Sequence, residues 1–193
     1  MKGFARREFQ LMLLRRMADF QPELVADACA ALGASHTQYM AAHNRWQSML
    51  ISTRAPRGLG LYQAALGPPD TERAVLHGDV TVTACTWHLP GLWRDLRWEA
   101  MVGENGVVLH GWLVRAADAR APKLPAPDLM KPWSCVVGDV LTQFPTARQA
   151  NPDVPSQWLV HLNTREGLSW QLWFVYGLLQ TARTDGSVVK LAG

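Results

Sequence analysis

Apolar and polar residues alternate along this chain with two different periods, and the period changes near residue 79. Before that point apolar side chains recur every three or four positions, the spacing of one buried helix face. Between Phe4 and Phe20 the residues Leu13, Met17 and Phe20 keep it, with arginines between them. Pro22 marks a helix start, because a first turn leaves that amide unbonded anyway. The second helix is expected from about Pro22 to Leu32, with Gly33 as its stop. Ser35 can cap a third helix, on which Tyr39, His43, Trp46 and Leu50 form a stripe. Residues 56–78 read as a connector, punctuated by Pro56, Gly58, Gly60, Gly67, Pro68 and Pro69.

From Asp79 the period becomes two. Val80–His88 alternates and is rich in β-branched residues. Arg97–Val102 and Val107–Arg115 flank Gly103-Glu104-Asn105-Gly106, a hairpin signal because Asn-Gly tolerates positive φ. A long Pro/Ala loop, 116–132, leads to a helical stripe of Trp133, Val136, Val137, Val140, Leu141 and Phe144, stopped by Pro145. Strands follow at Gln157–Asn163 and Ser169–Tyr176. Trp158, Val160 and Leu162 share one face of the first, and Trp170, Leu172, Phe174 and Tyr176 one face of the second. A last hairpin is expected to join Leu178–Arg183 to Val188–Leu191 through Asp185-Gly186. The pattern predicts an α+β fold: a helical lobe over 1–55, the connector, and a mainly antiparallel sheet packed on a helix over 79–193.

Composition narrows the class. At 193 residues, 48% hydrophobic and 18% charged, the chain is long and apolar enough to bury a core unaided. Its formal charge of +3 is mild, and the basic residues are scattered apart from Lys2, Arg6, Arg7, Arg15 and Arg16. That argues against nucleic acid, whose binders concentrate positive charge on one face. The three cysteines, Cys29, Cys85 and Cys135, form no CxxC pair and read as reduced thiols of a cytoplasmic protein. The longest apolar run near the start, Leu11–Leu14, is too short for a secretory or membrane-spanning segment. Of the nine tryptophans seven lie after residue 90, and most are expected to fill a core.

Candidate chemistry is sparse. The histidines His36, His43, His77, His88, His110 and His161 form no HxxxH, HExxH or HxH pattern, and a metal needs three or four ligands. His88, His110 and His161 lie on different predicted strands, where half-buried structural roles are the ordinary outcome. No GxSxG elbow or Walker-type Gly-Lys-Ser/Thr is present. Asp79, Glu99 and Asp139 belong to different elements and suggest no carboxylate pair. The site residues that remain belong to binding. Arg6, Arg7, Arg15 and Arg16 recur along one helix and form a solvated face or a docking face for an acidic partner. Val188, Val189 and Lys190 belong to a closing strand expected at a sheet edge, where backbone groups can receive a peptide, and Arg183 across the hairpin can steer an acidic or C-terminal group.

The order of elements is similar to that of the small partner subunits of multinuclear iron-dependent oxidative enzymes, which modify cysteines in ribosomally made peptides, the methanobactin-biosynthesis partner family among them. The similarity rests on the helical start, the Trp-bearing strands Val80–Leu89 and Leu96–Val114, the segment Lys131-Pro132-Trp133-Ser134-Cys135 before a helix, and the strand Trp170–Tyr176. It covers most of the chain and assigns no individual residue a role. It implies that iron and the catalytic ligands belong to a larger subunit and that this chain holds no cofactor. The small subunit would form a heterodimer with that enzyme and capture the precursor's leader as an added strand. Two other classes stay open: a small-molecule enzyme or binder using His88, His110 or His161, and a nucleic-acid-associated protein using the N-terminal arginines.

Overall fold

The computed structural model describes residues 4–150, 154–164 and 167–188. The fold is α+β with N-terminal helices. The chain divides into two compact units, one ending at Trp112 and the other beginning at Leu113. The first opens with α1 (Arg6–Met17), α2 (Pro22–Ala31), α3 (His36–Ile51) and α4 (Leu59–Leu66). The strands β1 (Thr71–His77), β2 (Val80–His88), β3 (Leu96–Val102) and β4 (Val108–Arg115) follow, β4 carrying the chain across the division. The second unit continues with α5 (Val137–Gln143), β5 (Arg148–Ala150), β6 (Gln157–Asn163), β7 (Leu168–Val175) and β8 (Leu178–Val188). Each set of four strands forms one antiparallel sheet in sequence order, so two sheets stand where one was expected.

Local signals set the helix starts. Ser35 and Gln38 form a reciprocal capping box: the Gln38 amide donates to Ser35 Oγ at 3.2 Å, and the Ser35 amide donates to Gln38 Oε1 at 3.0 Å. On α3 the buried stripe is Tyr39, Ala42, Trp46 and Met49, turned slightly from the predicted one, and Leu50 is exposed. Every residue of α1 from Phe9 to Leu14 is buried, because α2, α3 and α4 all pack on it. The connector predicted over 56–78 is instead α4 and β1. Its glycines bound a short helix rather than loosen a linker. Gly58 precedes α4 at φ 55°, and a Cβ there would lie 2.1 Å from the Gly106 carbonyl oxygen. Gly67, at φ 83°, closes the helix.

Rings fill the core of the first unit. Trp87 and Trp98 are directly opposite in the β2–β3 register and are both buried. Phe9 meets Trp98 and Trp46 edge-on, with centroids 5.1 and 5.2 Å apart. Tyr62 of α4 stacks on both sheet tryptophans at 6.2 Å. The Trp87 indole donates to the Gly67 carbonyl at 2.9 Å, which ties the end of α4 to the sheet. Gly111 of β4 leaves room for Trp98, since a Cβ would fall 2.4 Å from its ring.

In the second unit the predicted alternation is found as far as Phe174, whereas Tyr176 lies beyond β7, half-buried at φ 46°. Trp158, Val160 and Leu162 lie opposite Phe174, Leu172 and Trp170, and all six are buried. Two expectations there are corrected. Trp133 does not begin a helix. It has φ 62°, its amide donates to the Leu179 carbonyl (2.8 Å) and its indole to Gln180 Oε1 (3.2 Å). α5 starts later, where buried Asp139 accepts from the Val136 amide at 3.0 Å and pairs with Arg115 at 2.6 Å. Nor does Asp185-Gly186 turn the chain. β8 runs on to Val188, and these residues fall where its register against β7 slips, between the pairs Trp170↔Thr184 and Leu168↔Val188. A bulge absorbs the same Gly-containing signal that a hairpin uses.

Phe9→Ala removes a wholly buried ring touched by three others, and is expected to lower stability by about 3–5 kcal/mol, read from urea denaturation with an unchanged m-value.

Candidate functional site

Four strands end the two sheets: β1, β4, β5 and β8. β5 has three residues. The far end of β4 is engaged, the Leu113 amide donating to the Tyr176 carbonyl at 2.7 Å. At the start of β8, Leu179 donates to the Cys135 carbonyl (3.0 Å) and accepts from Trp133, and Val136 bridges Leu178. The short 3₁₀ turn Pro127–Leu129 also packs beside β8.

β1 differs from all three. It pairs with β2 without a break over seven residue pairs, from Thr71↔Thr86 to His77↔Val80. The hairpin loop is Gly78-Asp79, with Gly78 at φ 61°, which suits the first position of a type II′ turn. The pair flanking a two-residue loop exchanges both backbone hydrogen bonds. Alternation then turns the amides and carbonyls of Thr71, Arg73 and Val75 toward β2, and those of Glu72, Ala74 and Leu76 away from the sheet. Among the described residues no backbone group bonds to that outer side. Its side chains leave it accessible: all of Thr71–Leu76 are exposed except half-buried Val75, and Leu76 is 71% exposed.

The strand is anchored from its inner side. Val75 packs on Val82, Ala84 and Met101. Arg73 reaches buried Glu99 at 2.7 Å, and Glu99 also accepts from the Trp112 indole at 3.3 Å. Just before β1, Asp70 accepts from the His88 amide and pairs with Arg6 at 3.2 Å. Arg6 further donates to the carbonyls of Leu66 and His88, each at 2.9 Å. One guanidinium thereby ties α1 to the end of α4, the entry of β1 and the end of β2.

The predicted arginine face separates into two parts. Arg6 and Arg7 are engaged within their own unit, Arg7 donating to the carbonyls of Leu32 and Gly33 at 2.9 Å. Arg15 and Arg16 instead line a cavity with Asp19, His43 and Gln47. On the closing strand, Arg183 is exposed and opposite Gln171, in a cross-strand row with Arg148 and His161. Val188 pairs with Leu168, while Val189 and Lys190 lie outside the described residues. His88 and His110 belong to the first unit and His161 to the second. Among the described residues no group of three or more His, Cys, Asp or Glu could hold a metal. Burial pushes the Cys135 thiol up to about 12 and raises the Cys29 and Cys85 thiols as well, so all three stay protonated and poorly nucleophilic. No described helix is long and apolar enough to cross a membrane.

No family model matches this chain, and no curated protein matches its sequence. A solved structure described as a "putative beta-lactamase inhibitor protein" from Streptococcus mutans aligns with 71% of this chain and 87% of its own, at 13% identity and a TM-score of 0.29. A likeness of that degree assigns neither fold nor function.

The Asp70 clamp is open to titration. Partial burial opposes its charge, but the His88 amide and the Arg6 guanidinium outweigh that and hold the carboxyl below its ordinary 3.8. A carboxyl depressed by folding stabilises the native state above the ordinary value and loses that contribution as pH falls through the folded value. Asp70→Asn is therefore expected to lower the melting temperature at pH 7 and to narrow its gap from the native chain below about pH 4, as melting curves across that range would record.

Proposed function

We propose that this chain is a non-catalytic partner subunit that captures an extended ribosomal precursor peptide by strand addition. It would present that peptide to a larger iron-dependent oxidative enzyme that modifies cysteine, as in the making of methanobactin-like copper chelators, in the cytoplasm. The iron and the reacting ligands are assigned to the larger subunit. The observation that supports peptide capture is the outer edge of β1, with backbone groups of Glu72, Ala74 and Leu76 that no described residue bonds. A peptide laid along that edge would gain main-chain hydrogen bonds whatever its sequence, and side chains at alternate positions would set its register. Exposed Leu76 and Val80 offer apolar contacts at the hairpin end, and Glu72 offers a charge at the other. The β8 edge near Arg183 and Val188 is the second candidate, since the segment along its first residues leaves less of it open.

The test begins with affinity purification of the native complex and mass spectrometry of what co-purifies, followed by titration of the recovered peptide. Ala74→Pro removes one outward donor and leaves the bonds to β2 intact, which is where an edge strand tolerates proline. The variant is expected to keep the native circular dichroism and to bind the peptide about five- to tenfold more weakly, the worth of roughly one hydrogen bond. Equal affinities would remove β1 from consideration.

A further inference from the structure

The first unit carries a second feature that strand addition does not use. A cavity of about 240 Å³ is lined by Arg15 and Arg16 from the last turn of α1, by Asp19 just beyond it, and by His43 and Gln47 of α3. His43 and Gln47 are four residues apart and so share one helix face. Arg15 is fixed by Asp19, Nη1 to Oδ1 at 2.9 Å. Arg16 is exposed and forms no ion pair among the described residues. A volume of this size exceeds a water molecule's share of about 30 Å³ and falls below the roughly 300 Å³ at which drug-sized sites begin. It suits one small polar group.

Charge decides which group. Two arginines and one aspartate leave a surplus of one positive charge, and the C-terminal end of α1 sets about half a negative charge against it. The lining is thus faintly positive while His43 is neutral and clearly positive once it is protonated. From this geometry we infer that the α1–α3 cavity is an oxyanion site, contacted by Arg16, His43 and the Asp19-braced Arg15. It takes the phosphate of a small ligand or the carboxylate of an acidic peptide side chain, two sources of one chemistry. The site needs neither β1 nor its hydrogen bonds, so it stands or falls apart from strand addition.

The charged groups facing His43 are Arg15 and Arg16 from α1 and Asp19 just beyond it. Tyr39 lies one turn back on α3, with its hydroxyl buried beside Arg15 and Asp19, and Cys29 of α2 lies next to Tyr39. Burial lowers the proton affinity of His43, and Arg15 and Arg16 lower it further. An anion seated among them offsets the arginine field and makes protonation easier. Anion binding and proton uptake by His43 therefore favour one another, and binding strengthens as pH falls.

The experiment follows the His43 ring protons of the full chain by NMR across pH, assigned by their loss in His43→Gln. Arms of equal ionic strength contain chloride, inorganic phosphate, or a capped glutamate dipeptide. The His43 midpoint is expected to rise by about half a unit or more over chloride in at least one oxyanion arm. That rise is expected to vanish in Arg16→Gln, an exposed change that leaves the fold intact. A larger response to phosphate assigns the site to a phosphorylated small molecule, and a larger response to the dipeptide assigns it to an acidic peptide. A midpoint that is the same in all arms, or that rises as far in Arg16→Gln as in the native chain, overturns the site.

Discussion

Two indoles on one face of the first sheet have to be covered, and the first unit is arranged by how that is done. Trp87 and Trp98 sit side by side across β2 and β3. Phe9 covers one edge-on while Tyr62 stacks over both. This requires α1 and α4 to reach the same rings, and Trp46 to bring in α3. Burying an aromatic side chain stabilises by a few kcal/mol, more than any partly exposed ion pair in the unit can. The polar clamps therefore choose among arrangements that the rings make favourable. Arg6 is such a clamp: it joins the helices to the entry of β1 without supplying the bulk of the stability.

Because β2 and β3 occupy the middle of that sheet, β1 is left at its border, held only from within. Its rigidity comes from an unbroken register and from Arg73, whose head is taken by Glu99. A border strand that is both ordered and open is suited to receive another strand, since little conformational entropy is left to lose on its own side. The cavity at Arg15 and Arg16 follows from a different circumstance. Packing of α1 against α3 brings its last turn beside His43 and Gln47 on α3.

Wherever burial imposes a pattern, the sequence carries it openly. The cap at Ser35, the start at Pro22 and the strands at 80–88 and 157–163 all follow from single residues or from alternation. β1 escapes notice for the reason that makes it interesting. A strand exposed on most of its length has no apolar alternation, and Thr71–His77 reads as part of a connector beside Pro68 and Pro69. The Gly78-Asp79 turn is a visible sign of a hairpin, but its value depends on recognising a strand before it as well as after. Trp133 misleads in the opposite way: its spacing to Val137 and Val140 is helical, while its own backbone lies at positive φ beside β8. Of the four arginines in the basic stretch, nothing local separates the two that bind backbone carbonyls from the two that line a cavity. That distinction depends on where α2 ends, at Leu32 and Gly33, and on where α3 lies.

An edge like that of β1 does not distinguish one extended chain from another by its hydrogen bonds alone. Natural sheets usually blunt such borders with charges, proline or a bulge, and of these Thr71–His77 carries Glu72 and Arg73, the latter drawn to Glu99. Two copies could still zip together through their own borders, with Leu76 of each near the end of the other's strand. Such self-pairing scales with concentration, whereas an occupied border does not respond to it. On the strand-addition proposal, a peptide on that border would also keep two copies apart, and a vacant border at high concentration would let the chain compete with its own ligand.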